Sequence, residues 1–163
     1  MKKFELTNES IESKGRTLYR IRALKNFGDV KTGDLGGFVE KEENLNHEGN
    51  CWVCGDAIVS DNAVVSDNAK VSGYAQVSDD AWIAGNARVF DNAKVYGNAE
   101  VFGNAIVYDD AKVYGDTPVF GNAKVYGNAE VFENVWVFGN DRKNGSEKNE
   151  RIECMPYCLK QSD

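Results

Sequence analysis

Val95-Tyr96-Gly97-Asn98-Ala99-Glu100, followed at once by Val101-Phe102-Gly103-Asn104-Ala105-Ile106, carries the phrase that governs this chain. The same six-residue pattern, Val-x-Gly-Asn-Ala-x, runs without a break from Val53 to Arg142, fifteen times over. Its first position is Val in fourteen hexads and Ile83 in the other; its fifth is Ala in twelve, with Thr117, Val135 and Asp141 departing. The third position is Gly or Asp, and once Glu133; the fourth is Asn or Asp everywhere except at Tyr74. A fixed short period of this kind implies a stacked repeat architecture. Gly-Asn or Asp-Asn pairs every six residues forbid a helix, because each pair would interrupt it within two turns. Asn, Asp and Gly tolerate the left-handed backbone region that a sharp corner needs. Between corners lie short runs centred on β-branched Val, suited to strands. Side chains alternate along a strand, so an inward Val turns its two neighbours outward. The expectation is an all-β coil of short strands with Ala packed beneath each bend.

Over residues 47–142 the Val-x-x-x-Ala-x period resembles the hexapeptide repeat of left-handed parallel β-helix proteins, the fold of many hexapeptide acyltransferases. The resemblance implies three hexads to a triangular coil of about 18 residues, roughly five coils in all. It also implies left-handed winding, against the usual right-handed rule for parallel crossovers, and association into trimers with prisms side by side. Stacked at that period, one corner carries Asn68, Asn86, Asn104, Asn122 and Asn140, and a second alternates Asn62, Asp80, Asn98, Asp116 and Asn134. The alternation keeps Asp from sitting on Asp, as repulsion between neighbouring strands favours. The chain divides into an N-terminal β cap over 1–46, the repeat body over 47–142, and a polar linker and tail over 143–163.

Composition bounds the function. The chain has 163 residues and a net charge of −7, which argues against general nucleic-acid binding. It has no long apolar run, so neither a membrane span nor an apolar signal segment is expected. Four unevenly spaced cysteines do not form a secreted disulfide framework, and a reduced, cytoplasmic protein is the expectation. The charge is split: residues 1–32 carry +4 and the remainder −11.

In the head, Arg16 to Leu24 alternates, with Tyr19, Ile21 and Ala23 on one side and Arg16, Leu18, Arg20 and Arg22 on the other, which reads as a strand with one buried face. Phe4-Glu5-Leu6 is its expected partner, joined through the polar stretch Thr7–Gly15. Gly33-Asp34-Leu35-Gly36-Gly37 reads as turns leading into the coil, and Phe38, Val39 and Leu45 as the start of the cap that an open β-helix end requires. The run Tyr19–Leu24, then Gly33–Phe38, Glu43-Asn44-Leu45 and His47-Glu48-Gly49 resembles hexapeptide-repeat proteins common in phages and prophages. After Asp141 the repeat fails; Arg142 to Glu150 is polar, and Arg151 to Leu159 could fold back over the last coil.

Candidates for chemistry are few. An acyltransferase of the resembled kind uses a His base and projecting loops. The chain has a single His, His47, at the inward position of an imperfect opening hexad, and no excursion interrupts residues 53–142. Three-His zinc binding, as in β-helical carbonic anhydrases, cannot come from one His. Cys51 and Cys54 have zinc-like spacing, as do Cys154 and Cys158, but in the hexad frame Cys51 points in and Cys54 out. Asp79-Asp80 and Asp109-Asp110 fall at corner positions, where they replace Gly-Asn rather than build a calcium site. No cofactor and no metal are expected.

Two surfaces remain. From the third coil on, the second hexad position is aromatic without exception: Phe90, Tyr96, Phe102, Tyr108, Tyr114, Phe120, Tyr126, Phe132 and Phe138. These point outward as three-rung ladders, and nine such rings suggest a homo-oligomer interface, a trimer by the resemblance. Arg16, Arg20 and Arg22 share one face of the head strand and suit an anionic ligand, with Tyr19 nearby for stacking. The leading expectation is a non-catalytic, self-associating binding or scaffold protein. By the phage-type resemblance it sequesters a host nucleotide signal or a defence protein. The alternative is a hexapeptide acyltransferase with its site between subunits.

Overall fold

The computed structural model describes residues 2–145. The cysteines Cys154 and Cys158 and the expected fold-back segment lie outside them. The chain is an all-β solenoid of stacked parallel rungs on three faces. Rungs in one face are 18 residues apart, as where Val95 pairs with Val113. The first face begins with three long strands, β1 (Phe4–Ser13), β2 (Arg16–Ala23) and β3 (Leu35–Val39), and continues with Ile58–Val59, Gln76–Val77, Lys94–Val95, Lys112–Val113 and Glu130–Val131. The second face runs from Trp52–Val53 through Lys70–Val71, Arg88–Val89, Ile106–Val107 and Lys124–Val125 to Arg142–Lys143. The third holds Val64–Val65, Trp82–Ile83, Glu100–Val101 and Pro118–Val119, extended by bridges from Leu45 to Val65 and from Val119 to Val137.

The second face thus has six rungs, where five coils were expected. The stack passes the last apolar hexad because backbone bonding needs no inward Val: the Lys124 amide donates to the Asp141 carbonyl at 2.9 Å and that of Tyr126 to Lys143 at 2.8 Å.

The first-position residues form the core axis, and Val53 through Val125 in that register are fully buried. Thr117 takes a buried Ala position at no polar cost, since its hydroxyl donates to the Tyr114 carbonyl at 2.7 Å. At the corners, every third-position residue has positive φ, from Gly55 (67°) to Gly139 (63°), including Asp61, Asp67, Asp79, Asp91, Asp109 and Glu133. The left-handed residue is therefore the third one. Of the fourth-position residues only Asn134 shares it.

Asp earns its place at these corners by a bond between coils. The carboxylate of Asp79 accepts the Gly97 amide at 2.9 Å; Asp61 accepts that of Asp79 at 3.1 Å, and Asp109 that of Gly127 at 3.0 Å. Asp79→Ala should cost about 1–2 kcal/mol, from the steric penalty of Ala at positive φ and the lost acceptor. Asp79→Asn, which keeps both, should cost less; a urea midpoint for Asp79→Ala equal to the wild type would refute this account. The fourth-position ladders form as the period implies, with Asn68 to Asn86, Asn86 to Asn104 and Asn104 to Asn122 amide bonds of 3.3 Å each.

The cap is a β meander. β1 and β2 pair antiparallel across a two-residue turn in which Lys14 (φ 50°) and Gly15 (φ 79°) are both left-handed, as the tight hairpin turn demands. The polar stretch Thr7–Gly15 is mostly strand rather than a connection. Pairing with β2 satisfies its backbone whatever its side chains, and Thr7 adds a bond to the Arg20 carbonyl at 2.8 Å. Gly36 and Gly37 are likewise not turn residues: they lie inside β3, where it packs on the first coil. A Cβ at Gly37 would sit 2.6 Å from the Ala57 carbonyl oxygen, so only glycine fits the approach. Buried Asn44 plugs the top of the third face. Its amide donates to the Asp61 and Ala63 carbonyls, and its oxygen accepts the amides of Glu40 and Lys41.

Candidate functional site

The tip of the β1–β2 hairpin hangs over the first face and leaves a cleft of about 360 Å³ beneath it. Its roof is Ser13, Lys14, Arg16 and Leu18; its floor includes Ile58, Gln76, Asp79, Lys94, Tyr96 and Lys112. The repeat itself positions the floor. Lys94 and Lys112 occupy the outward sixth position of hexads one coil apart, so they pair directly as neighbouring rungs. Like charges at that spacing, near 4.8 Å, repel. Neither lysine reaches a carboxylate within ion-pair distance among the described residues, whereas Arg16 is shared between Glu40 at 3.1 Å and Asp61. Lys14, Arg16, Lys94 and Lys112 outnumber the cleft's carboxylates, Asp61 and Asp79, on a chain whose net charge is −7.

On the other side of the lysine pair the surface continues as an open shelf bounded by Tyr74, Asn92 and Asp110. Gln76, Lys94 and Lys112 belong to both concavities, so they form a ridge between cleft and shelf. Tyr74 is 65% exposed.

The arginines singled out in the head are engaged within the chain. Arg20 donates to the Gly36 carbonyl at 2.7 Å, pairs with Glu9 at 3.0 Å and lies over the Phe38 ring at 4.3 Å, which ties the hairpin to β3. Arg22 pairs with Glu5. Only Arg16 lines the cleft, and Tyr19, half-buried between Ser10 and Val39, is not among its lining residues. The Arg face thus fastens the cap, while the cations left for a ligand come largely from Lys14, Lys94 and Lys112. In the sequence, Lys14 counts only toward the charge of residues 1–32, and Lys94 and Lys112 are not singled out. Their signal was two lysines 18 residues apart in the same hexad position, beside the one tyrosine in the Asn/Asp column.

The nine second-position aromatics form the three ladders that the period implies. Phe90, Tyr108 and Tyr126 stack at 5.2 Å; Tyr96, Tyr114 and Phe132 at 4.8 and 5.1 Å; Phe102, Phe120 and Phe138 at 5.1 and 5.5 Å. Each ring is half-buried by its neighbours in the ladder and is not openly exposed. The exposed rings of the repeat, apart from Tyr74, are Trp82 and Trp136, both on the third face.

His47 belongs to the cap. Its ring stacks on Phe4 at 4.4 Å, its Nδ1 accepts the Lys3 amide at 3.0 Å, and its Nε2 is buried without a hydrogen-bond partner. Burial holds its pKa below the usual value, against the partial pull of Glu42. Lys3 is fully buried beside it. Its ammonium donates to the carbonyls of Gly49 and Cys51 at 3.3 and 2.9 Å and lies 3.4 Å from the Cys51 sulfur. Desolvation lowers the Lys3 pKa and raises that of the Cys51 thiol. Cys51 is buried and Cys54 is half-buried, packed against the core. Among the described residues no group of three His, Cys, Asp or Glu side chains stands close enough to hold a metal ion, and no helix is long and apolar enough to cross a membrane.

Neither a protein-family model nor a curated protein matches this chain. Its architecture is that of a parallel β-solenoid with turns of about 18 residues, the geometry of hexapeptide-repeat β-helices.

Proposed function

We propose that this protein is a non-catalytic, self-associating binding protein of the left-handed hexapeptide-repeat type, and that it holds an anionic small molecule in the cleft under the hairpin. The observation that carries the reading is the Lys94–Lys112 pair: two lysines on adjacent rungs of a floor roofed by Lys14 and Arg16, with no ion pair of their own among the described residues. A bound anion offsets their mutual repulsion, and the partly enclosed cleft strengthens each charge interaction relative to open water. The phage-type resemblance of the head supports a cytoplasmic role in which the anion is a host signalling molecule. Capture of a host defence protein is the other form that role would take.

Calorimetric titration with inorganic pyrophosphate tests the site. We expect binding that falls at least tenfold in the Lys94→Ala, Lys112→Ala double variant and weakens with added salt. No heat of binding, or an unchanged affinity in the variant, would overturn it.

Self-association draws support from the third face. Its outward residues include exposed Trp82 and Trp136 beside Phe102, Phe120 and Phe138, and Glu100 is the one charge among its outward rung residues. Apolar surface of this kind favours burial against another copy. A trimer follows from the resemblance. Trp82→Glu with Trp136→Glu should shift the sedimentation coefficient to that of a monomer; a wild-type monomer at micromolar concentration, or unaltered assembly in the variant, would remove this part of the reading.

The acyltransferase alternative needs an accessible base, and the position of His47, stacked on Phe4 with Nε2 buried, does not favour it. Acetyl-CoA binding that survives loss of Lys94 and Lys112 would revive it.

A further inference from the structure

We infer that the ligand of the hairpin cleft is a nucleoside phosphate, with its phosphate on the Lys94–Lys112 ridge and its base laid on the Tyr74 ring. The inference rests on the proposed anion site and adds the chemical class of what is bound there.

The starting point is a break in the repeat. The fourth hexad position is Asn or Asp in fourteen of fifteen hexads, because it ends a corner in open solvent. At Tyr74 the corner holds a large ring that is 65% exposed. The backbone there is ordinary: the Tyr74 amide donates to the Asp91 carbonyl at 2.8 Å, as its counterparts at other corners do. Folding therefore does not call for the ring. Every second-position aromatic from Phe90 onward is stacked on another, but no aromatic or cation contact engages Tyr74 among the described residues. An exposed ring that its own chain leaves uncovered keeps its flat face for something else.

Its surroundings indicate what. The shelf beside Tyr74 ends at the same Lys94 and Lys112 that floor the cleft, and Gln76, Asn92 and Asp110 complete its lining. Gln and Asn side chains carry both donors and acceptors, the pair of functions that the edge of a heterocyclic base presents. A flat surface for a base, amides for its edge and ammonium groups for a phosphate thus line one shelf. A bare phosphate or sugar phosphate would use only the last of these. Stacking of a base on an aromatic ring is sequence-tolerant, and loss of the ring costs about tenfold or more in affinity.

The experiment compares adenosine 5′-monophosphate with ribose 5-phosphate, which share the phosphate and differ in the base. The full chain is titrated with each, as wild type and as Tyr74→Asn, the residue the repeat prefers at that corner and so the variant least disturbing to the fold. We expect the nucleotide to bind wild type about tenfold tighter than the sugar phosphate. Tyr74→Asn should erase that advantage and leave the sugar phosphate affinity unchanged. Tyr74→Trp, with a larger ring, should restore it. Equal wild-type affinities, or an advantage that survives Tyr74→Asn, would overturn the nucleotide assignment and leave the anion site standing. Absence of binding by both compounds would overturn the nucleotide assignment, and the pyrophosphate titration then decides whether the anion site stands.

Discussion

Val107→Asp should abolish the native state. Val107 is fully buried at the middle of the stack, on the second face, paired between Val89 and Val125. The core at that level is a single file of Val and Ala side chains, with nothing to accept a proton or donate to a carboxylate. An unpaired charge there costs more than about 4 kcal/mol, which consumes most of the stability of a domain this size. The change also cuts the solenoid at its centre, so neither half retains a neighbour on both sides. The expected result is loss of the cooperative urea transition and of β-rich circular dichroism. Val107→Ile should cost less, about 1–3 kcal/mol for one added methylene, and Ile83 already fills the equivalent position on the third face without exposure. A Val107→Asp protein with a normal urea midpoint would show that the interior is wet or loosely packed, contrary to the structure.

Gly36→Ala should release the cap and with it the candidate site. A Cβ at residue 36 would stand 2.4 Å from the Val53 carbonyl oxygen, 2.7 Å from Ile21 Cγ1 and 2.8 Å from Trp52 Cζ2. The first is backbone of the opening coil and the other two belong to buried residues, so none can yield cheaply. β3 must move off the coil, at a cost of about 3 kcal/mol by the usual scale of overpacking. β2 pairs with β3, and β1 with β2, so the hairpin goes with it. Amide exchange should rise across Phe4–Ala23 while the rungs from Lys70 onward keep their protection. Pyrophosphate affinity should fall at least tenfold, because Lys14 and Arg16 leave the roof. Leu35→Ala, at a residue 55% exposed, serves as the control and should change little. Unchanged exchange in β1 and β2 of the Gly36→Ala protein would show that the cap does not depend on this contact.

The cap is also where sequence reading departs from structure. Gly36-Gly37 reads as a turn in the sequence, because two adjacent glycines in a polar context usually mark one. Their actual role, clearance for a neighbouring backbone, depends on Val53 and Ala57, far along the chain, and no local pattern encodes it. Thr7–Gly15 reads as a connection in the sequence, because its residues are polar. They are paired by β2, and the alternation that would have revealed the strand is blurred by the irregularity between Leu6 and Ser10. Lys3 adds to the positive charge of residues 1–32, yet it is fully buried, held by carbonyls near residue 50. For the site, alternation placed Arg16, Arg20 and Arg22 on one side of a strand. It could not show that Glu40, Glu9 and Glu5 would meet them there.

The sequence by itself determined the solenoid. Each hexad repeats the same local instruction: inward Val, a left-handed third residue and a small Ala under the bend. Because every coil contacts only its neighbours, a local rule repeated fifteen times is also the global rule. The Asn ladder and the three aromatic ladders follow from the period alone, since residues 18 apart must meet. Only the tertiary structure decided how the hairpin lies over the first face, which cations it leaves without carboxylates, and that Tyr74 stands on the far side of the same lysine pair. Those relations join segments with no shared period, and their geometry is set by the parallel pairing and close packing of β3 on the first coil, a contact between residues distant in the chain.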